Sequence, residues 1–321
     1  MRPSYRTMTV ALLLLVTITQ VIPVGEITFG FMSVGAMAAE SKRGDIEYAK
    51  VGDRSLKLDL YLPQRDATAR RSPLVVWVHG GAWRSGSKEN VPLLRWLDHG
   101  FAIASVEYRL SPEAKFPAQV HDIKAAIRFL RARSNELGLD PERFVIAGGS
   151  AGGHLAALVG VSSGIDPLEG TTGEQIDTAS DASSQAPSYV SAIVSFYGAS
   201  DLQTILQQST EYGLSVRVPA LQLFLGGQPS ELPAVAKLAS PVTHVDPTDP
   251  PLWLIHGDAD PQMPVQQSRQ LADLYRQTGL PVDFEVIPGG RHGGEAFFAA
   301  ERLDRIAKGL LEAIAKPQTP R

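Results

Sequence analysis

Ser150 stands between glycines in Gly148-Gly149-Ser150-Ala151-Gly152, directly after the apolar run Arg143-Phe144-Val145-Ile146-Ala147. The small-residue stretch Gly153-His154-Leu155-Ala156-Ala157-Leu158-Val159 follows it. This order reads as strand, sharp turn, helix. A serine on such a turn is pushed into a strained backbone conformation and presents its Oγ outward. The flanking glycines remove the Cβ atoms that would collide there. The chemistry expected of it is nucleophilic attack, with hydrolysis as the leading outcome. A Gly-rich turn with an incidental serine shares the three residues but does not require the strand and helix around them.

A serine hydroxyl is a weak nucleophile until a hydrogen-bonded base takes its proton during attack. Seven histidines compete for that role. His292 lies in Pro288-Gly289-Gly290-Arg291-His292-Gly293-Gly294, between the last predicted strand and the last predicted helix. A loop there opens on the same sheet edge as the serine turn. His256 at a strand end, His154 on the helix after the serine, His244 in a proline-rich connection and His99 at a helix end read as structural. The orienting acid is expected from a strand-end loop between the serine and the histidine. Ile255-His256-Gly257-Asp258-Ala259-Asp260-Pro261 offers two carboxylates, of which Asp260 is chosen over Asp258. Asp201, after Phe196-Tyr197-Gly198, is a more distant rival. In this reading His292 takes the serine proton and later delivers it to the leaving alcohol, while Asp260 holds the tautomer and stabilises the imidazolium.

The oxyanion that develops on the attacked carbonyl needs preorganised donors. One is expected from the backbone N–H of Ala151, at the start of a helix where the dipole helps. The others are expected from His79-Gly80-Gly81-Ala82-Trp83, directly after the third strand, where glycines let the backbone turn its N–H groups toward a substrate. Gly80, Gly81 and Ala82 all remain candidates. Trp83 is placed either at the border of the substrate pocket or in packing.

Several elements must hold these groups. Residues 46–51 and 56–62 read as an antiparallel pair around Gly52-Asp53. Short apolar runs at 73–78, 101–106, 143–147, 189–197, 252–256 and 282–287 read as strands of a buried parallel sheet. Helices are expected at 117–134, 265–278 and 296–316. Alternating strands and helices imply a mainly parallel sheet covered on both faces, with the strand-end loops on one edge. Two segments break the pattern. Residues 162–188 are polar and lack aromatics, and read as a disordered surface insertion rather than a lid. Residues 202–225 either cover part of the site or pack on the sheet.

Composition narrows the class. Net charge is −4 with no basic stripe, so nucleic-acid binding has no support. The absence of cysteine excludes disulfides, a thiol nucleophile and thiolate metal sites. No cofactor and no metal are expected. Arg2 and Arg6 precede the apolar run 8–16, which continues toward Val24, and Ala36-Met37-Ala38 gives an A-x-A pattern. Residues 1–39 therefore read as a secretory signal peptide, with 40–321 as the catalytic domain. The expectation is an exported protein, periplasmic or secreted, without stable membrane association after cleavage. The alternative is an uncleaved membrane anchor, although 8–24 falls just short of a comfortable span.

His79-Gly80-Gly81-Ala82-Trp83, Glu107-Tyr108-Arg109-Leu110-Ser111-Pro112, Phe116-Pro117 and the serine turn resemble the hormone-sensitive-lipase-like serine esterases. The resemblance is closest to the branch containing bifunctional feruloyl and acetyl-xylan esterases, and runs from about Tyr48 to Ala315. The stretch 255–268, with Asp260 and Pro264-Val265-Gln266-Gln267-Ser268, is also similar to the catalytic domain of prolyl oligopeptidases. The resemblance implies Asp260 as the acid and His292 as the base, and the order Ser150, Asp260, His292 is that of an α/β-hydrolase fold. Ala82 departs from the usual third glycine. The short region before His79 leaves no room for a large N-terminal helical cap. The implied function is a serine carboxylesterase acting on short-chain or aromatic acyl esters, including acetyl or feruloyl groups on polysaccharide, with a prolyl-oligopeptidase-like peptidase or amidase as the alternative. The expected partner is a small-molecule or polysaccharide-linked ester.

Overall fold

The computed structural model describes residues 41–64, 70–170, 176–178 and 185–315. The chain divides into two units, Met1–Ala38 and Ala39–Arg321, and every described residue lies in the second. The expected signal peptide falls outside the described residues. No described helix is long and apolar enough to cross a membrane.

Nine strands form one sheet among the described residues: β1 (Ser41–Val51), β2 (Arg54–Leu62), β3 (Ser72–Val78), β4 (Ala102–Val106), β5 (Leu139–Gly149), β6 (Ile176–Thr178), β7 (Ala192–Phe196), β8 (Leu252–Gly257) and β9 (Val282–Ile287). Their order is β6-β1-β2-β4-β3-β5-β7-β8-β9. From β4 to β9 every pairing is parallel, whereas β6, β1, β2 and β4 pair antiparallel. β3 explains why the centre is parallel and doubly covered. All seven of its residues, Ser-Pro-Leu-Val-Val-Trp-Val, are buried. Leu74, Val76 and Val78 enter the core on one face, while Val75 and Trp77 enter the core on the other. A strand with apolar residues at both parities can only be satisfied between two layers.

Helices supply those layers. α1 (Ala118–Ala132), α2 (Ser134–Leu137), α3 (Ala151–Gly160), α4 (Asp166–Glu169), α5 (Ile205–Gln208), α6 (Glu211–Leu225), α7 (Pro233–Leu238), α8 (Val265–Thr278) and α9 (Ala300–Ile314) follow in chain order. α1, α3 and α8 pack on the first core through residues such as Ile123, Leu155 and Leu271. α9 covers the opposite face, because Leu303, Ile306, Ala307, Leu310 and Ile314 recur at helical spacing on one side. This is the α/β-hydrolase architecture, and no helix precedes β3 among the described residues.

Residues 162–170, 176–178 and 185–188 of the polar segment are held in place, while residues 171–175 and 179–184, where the expected disordered insertion also falls, lie outside the described residues. Glu169 at the end of α4 accepts from Lys124 Nζ at 2.7 Å, from Arg128 Nη2 at 2.5 Å and from Ser188 Oγ at 2.8 Å. The backbone of β6 pairs with β1 at Ala49, Lys50 and Val51, at the sheet edge remote from β5. Composition favoured a loop because most of this segment is polar, with Leu168 its one core residue in α4 and Ile165 packed against the core beside it. Beside Leu168, it is anchored by two buried cations on α1 that sequence alone does not place opposite it.

One buried carboxyl is expected to make the stability of the fold pH-dependent. Asp249 precedes β8 in Thr248-Asp249-Pro250-Pro251, and burial pushes its pKa up to about 8. An unfolded aspartate ionises near pH 4, so the unfolded chain releases this proton first. The stability tied to protonated Asp249 is complete below about pH 4 and declines until the folded group itself ionises. Asp249→Asn removes this dependence. The expected result is a Tm that falls less between pH 5 and pH 8.5 than in the parent, by about 2 °C or more, as measured by calorimetry. Equal slopes would show that Asp249 is ionised in the fold.

Candidate active site

β5 ends at Gly149 and α3 begins at Ala151, so Ser150 alone makes the turn between them. Its φ of 56° and ψ of −119° lie in a sparsely populated region that costs an L-residue roughly 1–3 kcal/mol. The surroundings hold it there. Ser150 N–H donates to the Phe196 carbonyl on β7 at 2.9 Å, and the Ser150 carbonyl accepts from His154 N–H at 3.0 Å. The glycines are required by close approach. A Cβ on Gly152 would sit 2.0 Å from the Val78 carbonyl oxygen, and one on Gly80 would sit 2.8 Å from that of Gly149. The ends of β3 and β5 and the start of α3 can converge only because these positions carry no side chain.

The structure brings Ser150, His292 and Asp260 into one line. Ser150 Oγ lies 2.8 Å from His292 Nε2, and His292 Nδ1 lies 2.7 Å from Asp260 Oδ2. A carboxylate facing Nδ1 assigns the proton to that nitrogen, which leaves the Nε2 lone pair directed at the serine hydroxyl. Asp260 Oδ1 accepts the backbone N–H groups of Gln262 and Met263, both at 2.8 Å. Burial alone would raise the Asp260 pKa. The hydrogen bonds from His256 and His292 outweigh it and hold the carboxyl well below the usual carboxylate range.

His256 is the group that sequence reasoning underrated. Its Nε2 lies 2.9 Å from the Met263 carbonyl and 3.4 Å from Asp260 Oδ2, and its Nδ1 lies 2.7 Å from Ser268 Oγ. The Met263 carbonyl can only accept, so Nε2 carries the proton and Nδ1 accepts from Ser268. His256 is therefore structural, as expected, and what it supports is the Asp260 carboxylate. Tyr197 was also missed. Its ring meets His292 edge-on with centroids 5.0 Å apart, and its own φ is 41°. Burial, then the Asp260 charge, push the phenol up to about 12, so it stays neutral beside the imidazole.

The rival residues are engaged elsewhere. Asp258 Oδ1 accepts from Gly289 N–H at 2.7 Å and pins the turn after β9. Asp201 accepts from Gln203 N–H and Thr204 Oγ1. His154 is fully buried between Trp83 Nε1 and the Ala239 carbonyl, and burial pulls its pKa down to about 4. His99 pairs with Asp304, and His244 faces the Leu238 carbonyl.

After β3 the chain turns sharply through the glycine pair. Arg84 N–H and Ser85 N–H both donate to the Gly81 carbonyl, and Ala82 and Trp83 sit at φ of 52° and 60°. Tyr108 Oη donates to the His79 carbonyl at 2.9 Å and its ring stacks on His79 at 4.4 Å, which braces the loop from behind. Gly81, Ala82, Ser150 and Ala151 line one cavity, and Gly80, the remaining expected donor, lines the adjoining one.

The BD-FAE family model matches residues 58–275, from β2 through α8. The chain belongs to the BD-FAE family. Esterase LipQ of Mycobacterium tuberculosis is 33% identical over 257 residues, which cover 78% of this chain and 57% of LipQ. The chain thus spans little more than half the length of that curated relative. Among solved structures, a truncated carbohydrate esterase from gut microbiota superposes with a TM-score of 0.71 and 31% identity, covering 86% of this chain and 97% of the other. An acetyl ester-xyloside bifunctional hydrolase from Caldicellulosiruptor lactoaceticus gives 0.64 and 28%, covering 81% and 89%. The family is the one the sequence motifs resemble.

In this BD-FAE chain two cavities share Gly81, Ser85 and His292. The larger, ≈ 710 Å³, has an aromatic wall of Trp77, Tyr197 and Phe298. The smaller, ≈ 380 Å³, is bounded by Ser150, Ala151, Val216 and Arg217. α6 therefore does cover part of the site through Val216 and Arg217, while its Leu221 and Phe224 pack inward. Trp83 borders the smaller cavity, yet its indole is fully buried, stacked on Phe224 at 4.7 Å. Both of its expected roles meet in one side chain.

Proposed function

We propose that this BD-FAE protein is a serine carboxylesterase that hydrolyses short-chain or aromatic acyl esters through an acyl-enzyme. The observation that carries the reading is the hydrogen-bonded line from Ser150 Oγ through His292 to Asp260 on a strained strand-to-helix turn. Ser150 Oγ attacks the ester carbon as His292 Nε2 takes its proton. The resulting oxyanion is met by the N–H of Ala151 and by N–H groups of the Gly80-Gly81-Ala82 turn, each worth about 3 kcal/mol of transition-state stabilisation. Collapse breaks the bond to the alcohol, which leaves with the proton from His292. Water then attacks the acyl-serine with His292 again as base, releasing the acid and restoring Ser150.

The aromatic wall of the larger cavity supports a planar aromatic acyl or sugar group there, since rings pack edge-on or offset against such walls. The carbohydrate-ester neighbours support a polysaccharide-linked acetyl or feruloyl ester as the natural substrate. A panel of 4-nitrophenyl esters of rising chain length, with methyl ferulate, acetylated xylan and an aminoacyl anilide, tests the reading. Acetate to butyrate esters or methyl ferulate should exceed dodecanoate by at least about tenfold in kcat/KM, the cost of one poorly fitting apolar contact or more. A maximum at long chains, or faster cleavage of the anilide than of the esters, would overturn it.

We also propose that residues 1–39 direct export and are removed near Ala38, leaving the catalytic domain from residue 40, on the basic, apolar and small-residue order of that segment. Mass measurement of the exported protein tests this, because an intact N-terminus would show an uncleaved anchor.

A further inference from the structure

The smaller cavity beside Ser150 is lined by two arginines and no acid. Arg217, on α6, is 3% exposed, and Arg84, after the glycine turn, is exposed at the same wall. The chain pairs most of its other buried cations with a carboxylate. Arg109 makes a bidentate pair with Asp122, Lys124 and Arg128 share Glu169, and Lys88 reaches Asp59. Arg131 is spread over the carbonyls of Pro141, Pro187 and Tyr189 and lies against two aromatic rings. Arg217 donates from Nη2 to the Gln262 carbonyl, and its buried Nε has no hydrogen-bond partner among the described residues. The Asp260 charge acts on Arg217, but the oxygens of Asp260 already serve His292, His256 and two backbone N–H groups. Neither Arg217 nor Arg84 makes an ion pair among the described residues.

A guanidinium withdrawn from water without a fixed counter-ion costs stability. A fold keeps it at a reaction centre with benefit when the substrate brings the missing charge. We infer that the smaller cavity is a subsite for a carboxylate carried by the ester substrate, with Arg217 as the specificity-determining residue and Arg84 at the rim. The inference rests on the esterase reading above. Guanidinium N–H groups match a carboxylate in shape as well as in charge, and the low-dielectric wall strengthens the contact. Two sources share this chemistry. The carboxylate can sit on the acyl side, as in a hemi-ester of a dicarboxylic acid, or on the alcohol side, as in an acylated hydroxy or uronic acid.

Paired substrates separate the possibilities. Monomethyl adipate carries the carboxylate on the acyl side and 4-acetoxybenzoate on the alcohol side. Each is compared with the neutral carboxamide of the same shape. One anionic member is expected to exceed its amide by about tenfold or more in kcat/KM, the worth of a hydrogen bond to a charged group, and which pair does so names the side. That ratio should fall toward one in Arg217→Gln, recover in part in Arg217→Lys, and fall about two- to fivefold in Arg84→Gln, where solvent weakens the interaction. If Arg217 only tethers the Gln262 loop, its variants lower both members of a pair together and leave the ratio unchanged, which overturns the inference. Equal rates within both pairs for the parent enzyme overturn it without any variant, and Arg84→Gln carries the test if Arg217 variants fail to fold. Loss of the inference alone would leave 4-nitrophenyl acetate cleaved, whereas a parent protein inert on that ester would remove the esterase reading and the inference together.

Discussion

Ser150→Ala is expected to lower kcat on 4-nitrophenyl acetate by on the order of 10⁵–10⁶-fold, the loss seen when a hydrolase of this design loses its nucleophile. In the proposed mechanism Ser150, His292 and Asp260 act as one unit, so His292 without an adjacent hydroxyl has no serine proton to take and no covalent path to open. The glycine turn and the helix start persist in the variant and account for whatever hydrolysis above background remains. The fold should be indifferent to the change. Alanine keeps the Cβ that makes φ of 56° costly, and the backbone bonds to Phe196 and from His154 do not involve the side chain. Ser150→Gly sharpens the test. It is equally inactive but removes the Cβ, so it should be more stable than the parent by about 1 kcal/mol, the lower end of what such backbone strain stores. An inactive protein that gains stability would identify the strain as belonging to function. Activity above about one per cent in Ser150→Ala would place the nucleophile elsewhere.

Much of this site was legible in the sequence because its parts are local. The serine turn, the Gly80-Gly81 pair and the Gly289–Gly294 loop each declare themselves within a few residues, and each sits at the end of a strand, apolar and buried for β3 and the end of β5, alternating and partly exposed for the edge strand β9. Chain order then brought them to one sheet edge. What stayed hidden depends on groups that meet across the fold. His256 looked like an ordinary strand-end histidine, and only the return of the 260–263 loop beneath it places Nε2 at Asp260. Its spacing of four residues from Asp260 is a signal that a closer reading could use. Arg217 lies 67 positions from Ser150 on a helix with little amphipathic pattern, so nothing local marks it as a cavity wall. The anchoring of the described start of the 162–188 segment was hidden for the same reason, since Lys124 and Arg128 hold Glu169 from another element.

The choice between Asp258 and Asp260 is where local reading was weakest, and mutation separates them by a wide margin. Asp260→Asn is expected to lower kcat about 10⁴-fold, and Asp258→Asn by less than tenfold. The asymmetry follows from donors and acceptors. An asparagine at 260 can keep its carbonyl oxygen toward the N–H groups of Gln262 and Met263. Its amide NH2 then faces His292 Nδ1, where the carboxylate oxygen had accepted. The imidazole must move its proton to Nε2 to accept that bond, and Nε2 then confronts Ser150 Oγ as a donor when catalysis needs an acceptor. The same NH2 also meets the Nε2–H of His256, so the second support of the acid becomes a repulsion. Flipping the amide only transfers the mismatch to the two backbone donors. At position 258 none of this arises, because asparagine can present the same Oδ1 to Gly289 N–H in an exposed turn. Rates measured on both variants with one neutral ester, beside their Tm values, check the assignment, and a larger loss at 258 would transfer the acid to that residue. The depressed pKa of Asp260 has a further consequence for the parent enzyme. Its stabilising contribution is present above the unfolded aspartate value near pH 4 and is lost as pH falls through the lower folded value, so Asp260 stays ionised at pH values where an ordinary aspartate begins to take up a proton.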